Sequence, residues 1–205
     1  MCDFSLPLPP PLIPTLSSQK ISVLILNAGV SQRSTFLETP LKTFRSIFSV
    51  NLFSSVELLH GLASTSLNIV GGRSQIIYIS SVQAQIPLPS RSAYSASKAA
   101  ATSLCSSLRA EFADFADVCC VEPGYVDTDL SRNAVTKDGR YGKKDETTKN
   151  GIKPDLLASK IIIAVNEGRT VVTDGQGLKV RAALWLGFLW RGGLERVMRR
   201  RFEKA

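Results

Sequence analysis

Short apolar runs alternating with longer stretches of helical period constrain this chain more than any other feature. Ile21–Leu26 (ISVLIL) is mostly apolar and stops at Asn27-Ala28-Gly29. Leu41–Leu67 carries Leu41, Phe44, Ile47, Phe48, Leu52, Val56 and Leu59 at helical spacing behind Thr39-Pro40, a helix-start signal. Gln75–Ser80 (QIIYIS) and Val118–Val121 (VCCV) read as strands covered on both faces, the second stopped by Pro123-Gly124. Between them Tyr94–Phe115, rich in Ala and Ser, reads as a second long helix. Pro154–Asn166 and Thr170–Thr173 add a further helix and strand. Parallel strands need crossovers, and helices are the usual ones, so this order predicts a parallel sheet with helices on both faces. A chain of 205 residues, 44% apolar and 20% charged, supports one such domain with a sizeable core.

The two ends depart from this pattern. Residues 1–20 hold five of the ten prolines and no regular period, so an extended or disordered arm is expected there. They also lack the basic start of a signal peptide. At the other end, Ala182–Trp190 (AALWLGFLW) is an apolar run well short of the roughly 20 residues that span a bilayer. It leads into RGGLERVMRRRFEKA, where basic and apolar residues alternate at roughly helical spacing. Two tryptophans beside Arg199-Arg200-Arg201 suit a membrane–water interface, and a helix docked on the domain is the other reading. From Lys179 onward there are eight basic and two acidic residues, so most of the net charge of +8 lies in this tail. The body is close to neutral, and no nucleic-acid partner is expected.

One His (His60) leaves little for zinc or a Ser-His-Asp triad, and no metal site is expected. The four cysteines, two of them adjacent, do not make a disulfide framework. The residues that carry chemistry lie in Ser80–Ala99. Tyr94 and Lys98 are four apart, so a helix places them on one face. An ammonium near a phenol favours the phenolate and lowers its pKa from about 10. Each tenfold gain in acidity corresponds to about 1.4 kcal/mol, and a few such steps would make Tyr94 usable near neutral pH. Ser81 stands at the end of the preceding strand, where parallel α/β sheets hold ligands. Plainer uses are open to the same residues: Ser81 as a strand-end cap, Asn51 as a polar residue satisfied within its helix, Gly29 and Gly124 as turn glycines.

This constellation resembles the short-chain dehydrogenases/reductases, and the likeness continues on both sides. Asn27-Ala28-Gly29 looks like that family's NAG motif. Asn51 falls in the following helix, where the family has its catalytic asparagine. Pro123-Gly124-Tyr125-Val126-Asp127-Thr128 looks like its PG-x-V-x-T element. The wording ILNAGVSQRS, the run Gly139–Asp145 (GRYGKKD) and the basic C-terminus most resemble the membrane-associated member 7 branch.

The resemblance implies an NADP(H)-dependent oxidoreductase that interconverts a carbonyl and an alcohol on a small lipophilic substrate. Tyr94 would be the general acid for reduction and the base for oxidation, and Ser81 would hold the substrate oxygen. Lys98 would lower the Tyr94 pKa and bond the nicotinamide ribose, and Asn51 would position a water relaying protons towards Lys98. Asn27, Ala28, Gly29, Tyr94, Lys98, Pro123, Gly124, Val126 and Thr128 would contact the cofactor. Arg132–Lys153 would form a lid, the long helices a homo-oligomer contact. The branch further implies association with the endoplasmic reticulum membrane through the tail, the domain lying in a reducing compartment. A docked tail would instead fit the cytoplasm.

The family also has a TG-x-x-x-G-x-G run well before NAG, and this sequence has none. Gly71-Gly72 and Gly192-Gly193 follow the wrong elements at the wrong spacing. The expected fold is therefore α/β, a Rossmann-like parallel sheet lacking its first βαβ units, over residues 21–178, between a leader (1–20) and a tail (179–205). The residues that would select NADP over NAD belong to the missing part, which leaves NAD(H) open. A catalytically silent, truncated family member unable to bind cofactor is the alternative function.

Overall fold

The computed structural model describes residues 3–6, 8–63, 65–67, 72–130, 134–136, 151–173, 182, 184–185 and 189–203. Its elements run α1 (Leu12–Ser17), β1 (Val23–Leu26), β2 (Gln32–Arg33), α2 (Leu41–Phe48), a π-helical turn (Ser49–Phe53) and α3 (Ser54–Leu62). Then come β3 (Ser74–Ile79), a 3₁₀ turn (Val82–Ala84), α4 (Ser92–Glu111), β4 (Ala116–Val121), β5 (Val135–Thr136), α5 (Pro154–Asn166), β6 (Val171–Val172) and α6 (Arg191–Glu203). β1, β3, β4 and β6 form one sheet in the order β1-β3-β4-β6, every pair parallel. The expected Rossmann-like α/β class is the observed one.

Alternation along the strands builds two layers. Ile76, Tyr78, Val118 and Cys120 point to one side and pack with Leu59 and Leu62 of α3 and Ala101, Cys105 and Leu108 of α4. Ile77, Cys119 and Val121 point to the other and pack with Val172 and Ala164 of α5. Each fully buried Ile or Leu contributes about 1.5–3 kcal/mol. The Arg73–Asp117 pair at the foot of β3, 44% and 48% exposed, is screened by solvent and contributes little. Packing therefore dominates. Lone glycines serve it too: a Cβ on Gly61 would stand 2.7 Å from Ile13, so α3 has a gap where α1 seats.

Three expectations need correction. The leader is not wholly extended: α1 places Leu16 against the core, and Ser66 Oγ donates to its carbonyl at 2.9 Å. Pro14 falls in the first turn of α1, where no amide donor is needed, so the prolines permit this helix. The predicted helix Leu41–Leu67 is not one α-helix, for a π turn interrupts it at Ser49–Phe53 and α3 ends at Leu62. Apolar Phe48, Leu52, Val56 and Leu59 stay three or four apart through it, which is why the pattern hid it. Finally, β2 and β5 pair as a small second sheet that their two-residue lengths made illegible.

Among the described residues β1 and β6 are the sheet's edges, and Val23 and Ile25 of β1 are 53% and 58% exposed. No described helix is long and apolar enough to cross a membrane. The lid expected over Arg132–Lys153 lies largely outside the described residues, as do Gly139–Asp145, Cys2, and parts of the apolar run before α6.

Candidate active site

The site forms where β1 and β3 end and α4 begins. After β1 the chain turns through Asn27-Ala28-Gly29, and the π turn brings Asn51 beneath it. Asn51 is fully buried; its Oδ1 accepts from Val30 N–H at 2.8 Å while its Nδ2 donates to the Val30 carbonyl at 3.0 Å. Nδ2 also donates to Ser97 Oγ at 2.9 Å, on α4. Tyr78 of β3 donates its hydroxyl to the Asn51 carbonyl at 2.8 Å. A π turn shifts one peptide unit out of the helical ladder, and here the buried carbonyl has a side-chain donor. The asparagine thus joins the turn after β1 to α4.

Lys98 is buried, and its Nζ donates to the Ile79 carbonyl at the end of β3, 2.8 Å away. A Cβ on Gly29 would stand 3.5 Å from Lys98 Nζ and 3.6 Å from Asn51 Oδ1, so the turn runs directly beside both side chains. Ser81 caps the 3₁₀ turn, accepting from Gln83 N–H at 3.2 Å, and its side chain is near enough to Tyr94 to act on the phenol. Val82 N–H donates to the Pro123 carbonyl at 3.0 Å, which sets Pro123-Gly124 next to Ser81. Beyond them Val126 bridges to Ile152, and Thr128 N–H donates to the Val126 carbonyl at 2.9 Å. The structure therefore gathers Asn51, Ser81, Tyr94, Lys98, Gly29 and Pro123. Gly124, Val126 and Thr128 continue from that cluster as a half-buried segment. Exposed His60 stands apart on α3.

Electrostatics differ from the expectation. Burial pushes the Tyr94 phenol above its ordinary value, against the opposing pull of the Ser81 hydrogen bond and the Arg91 charge. Lys98 is not the cation that lowers it. Burial pushes Lys98 itself down to about 8. In a dry cluster both charged forms lose hydration, and at 5.9 Å from the ring centroid Lys98 Nζ is aimed at the Ile79 carbonyl. Sequence reading also missed Ser97, Gln83, Gln32 and Gly151. Ser97 carried a signal, being three residues after Tyr94 on the same helix. Gly151 had none: a Cβ there would stand 2.7 Å from the Tyr125 carbonyl, a constraint set by the Val126–Ile152 bridge.

A fold of this topology, with a buried Ser-Tyr-Lys-Asn cluster at its strand ends, defines a class of enzyme. The short chain dehydrogenase family model matches residues 15–139. The chain belongs to that family, one of oxidoreductases. Its relatives include dehydrogenase/reductase SDR family member 7B of Xenopus tropicalis, 42% identical over 152 residues, covering 73% of this chain and 48% of the relative. A member 7-like protein of Anopheles gambiae is 40% identical over 186 residues, covering 90% of this chain and 58% of the relative. The chain thus spans about half the length of these relatives. A short chain dehydrogenase from Burkholderia cenocepacia in complex with NADP shares the fold with a TM-score of 0.72 at 24% identity, over 96% of this chain and 76% of that one. One from Mycobacterium paratuberculosis bound to NAD does so with a TM-score of 0.62 at 20% identity, over 77% and 64%.

Proposed function

We propose that the chain is an NADP(H)-dependent oxidoreductase that interconverts a carbonyl and an alcohol on a small lipophilic substrate. The buried cluster of Ser81, Tyr94 and Lys98, the last one turn along α4 from the phenol, is the observation that carries this reading. The donor set fits the nicotinamide end of such a cofactor. An ammonium has three donors, and one of Lys98's is engaged by Ile79, leaving others for ribose hydroxyls beside Gly29. Asn27, Ala28 and Gly29 would line that end from one side, and Pro123, Gly124, Val126 and Thr128 from the other. When bound, the nicotinamide supplies or accepts the hydride.

The chain's own residues handle orientation and the proton. Ser81 holds the substrate oxygen at the Tyr94 hydroxyl, which gives a proton to it in reduction and takes one in oxidation. Asn51 Oδ1 and Lys98 Nζ flank one point above Gly29, and the water relay would bridge them there. The test is thermal unfolding with NADPH, using NADH for comparison. A ligand at 100 times its Kd stabilises a folded site by about 2.7 kcal/mol, a shift of several degrees. A larger shift with NADPH is expected; equal shifts would remove the preference for NADP, and none would remove the cofactor.

A catalytically silent chain, unable to bind cofactor, is favoured by two observations. β1 is an edge strand with Val23 and Ile25 largely exposed, and the sequence has no glycine-rich phosphate turn. A cooperative transition unmoved by either nucleotide would select that reading.

The membrane and oligomer readings have separate support. Exposed Trp185, Leu189, Trp190 and Val197 near the basic helix α6 suit attachment to an anionic membrane face, here the endoplasmic reticulum. Truncation after Thr173 is expected to release the protein from membranes in flotation. Continued flotation would move the attachment to residues 1–20. Exposed Leu41, Phe53 and Val56 along α2–α3 support a homo-oligomer contact.

A further inference from the structure

Helix α4 carries Tyr94 in its first turn, and its own N-cap residue, Arg91, makes no side-chain bond to that turn. The leading amides of a helix need partners from elsewhere. One comes from 61 residues away: Ala93 N–H donates to Gln32 Oε1 at 2.8 Å, immediately before Tyr94. Gln32 is fully buried, and its other end is engaged as well. Nε2 donates to the Ser34 carbonyl at 3.1 Å and to Thr39 Oγ1 at 2.6 Å. Thr39 donates in turn to the Thr35 carbonyl at 2.6 Å.

Neighbouring bonds make this a clamp. Arg91 Nη1 donates to Ser31 Oγ at 2.9 Å, and Ser34 N–H donates to the Ser90 carbonyl at 3.1 Å. The same stretch pairs as β2 with β5. Residues 31–34 therefore hold 90–93 from one side, and the turn 27–29 is the chain immediately before them.

We propose that Gln32 is a positioning residue for Tyr94: its side-chain amide is the N-terminal cap of α4, and it sets where the phenol stands. The proposal rests on Tyr94 being the proton-transferring group; the cap itself does not. A serine or aspartate cap offers only an acceptor. A carboxamide offers an acceptor to the helix and a donor to the loop at opposite corners of one planar group. It does so without charge. A carboxylate in its place would put a buried negative charge near the phenol and oppose its ionisation.

The test is hydrogen exchange by mass spectrometry on the full chain, comparing Gln32→Met, which fills the space without an acceptor, with Gln32→Glu, which keeps one. In Gln32→Met the amides of residues 92–95 are expected to exchange about tenfold faster, with β3, β4 and the second half of α4 within twofold of the native chain. Gln32→Glu is expected to restore most of that protection. Unchanged exchange of the first turn in Gln32→Met would overturn the proposal. So would acceleration spread evenly over α4 and the sheet, or a Gln32→Glu that protects no better than Gln32→Met. If Gln32→Met does not fold, Thr39→Val removes only the outer anchor and is expected to speed the same amides to a smaller degree. Turnover gives the second readout: Gln32→Met should lower kcat at least fivefold with the carbonyl KM within twofold. A Tyr94→Phe variant as active as the native chain would sink the functional reading and leave the exchange result standing.

Discussion

Tyr94→Phe is expected to lower carbonyl reduction a thousandfold or more while leaving the unfolding transition within a few degrees of native. General acid–base groups contribute about 10²–10⁴-fold, and Tyr94 is a buried hydroxyl whose acidity Ser81 acts on. The structural loss is at most one hydrogen bond, about 1 kcal/mol, since Ser81 keeps its bond from Gln83 N–H. Steady-state reduction of aldehydes and ketones, beside thermal unfolding, checks both halves. Turnover within tenfold of native would take the proton from another group. The raised phenol pKa adds a direction. The protonated form persists through neutral pH, so reductive kcat/KM should be flat there. Oxidative kcat/KM needs the phenolate and should climb with pH above neutrality. An oxidative profile already level at pH 7 would mean that the phenol is held low instead.

Lys98→Met should abolish cofactor-dependent turnover and also change the pH dependence of stability. Burial holds the Lys98 ammonium at about 8 in the folded chain, against an ordinary 10.5. Between those values the unfolded chain binds more protons than the folded one, so this group makes native stability rise with pH across that interval. Below about pH 8 the lysine is charged in both states, and its buried charge is a standing cost. The methionine variant lacks the effect. The difference in stability between native and variant should therefore move in favour of the native chain by roughly 1–3 kcal/mol from pH 7 to pH 10. Cysteine and tyrosine titrations are shared and cancel in the difference. Denaturant unfolding of both chains at the two pH values measures it, and a constant gap would show that Lys98 titrates normally.

Much of the fold was legible because burial on both faces of a sheet leaves a simple mark. QIIYIS and VCCV became β3 and β4 within one or two residues, and Pro154–Asn166 became α5 at both ends. Proline at the first helical position and a long apolar period are local signals. The cluster was legible where its spacing was local as well: Tyr94 and Lys98 share a helix face, and Ser81 follows β3. Legibility failed where the partner was distant. The π turn at Asn51 keeps the helical pattern and shows only in how Tyr78 meets a displaced carbonyl. The leader's prolines suggested an arm, yet Ile13 and Leu16 found a surface on α3 and the core.

By itself the sequence determined the layer architecture, the order of the main-sheet strands β1, β3, β4 and β6 and the pairing of Tyr94 with Lys98 behind Ser81, because periodicity, turn residues and i,i+4 spacing are properties of neighbouring positions; Asn51 came from the family resemblance. Only the tertiary structure decided how that cluster is tuned and held. Burial, a property of the whole fold, set the direction of both Tyr94 and Lys98 against what a bare phenol–ammonium pair would do. The cap on the Tyr94 turn comes from Gln32, and the anchor of Asn51 from Val30 and Ser97. Those hydrogen bonds cross 21 to 61 residues of chain, and no local pattern encodes a partner at that distance.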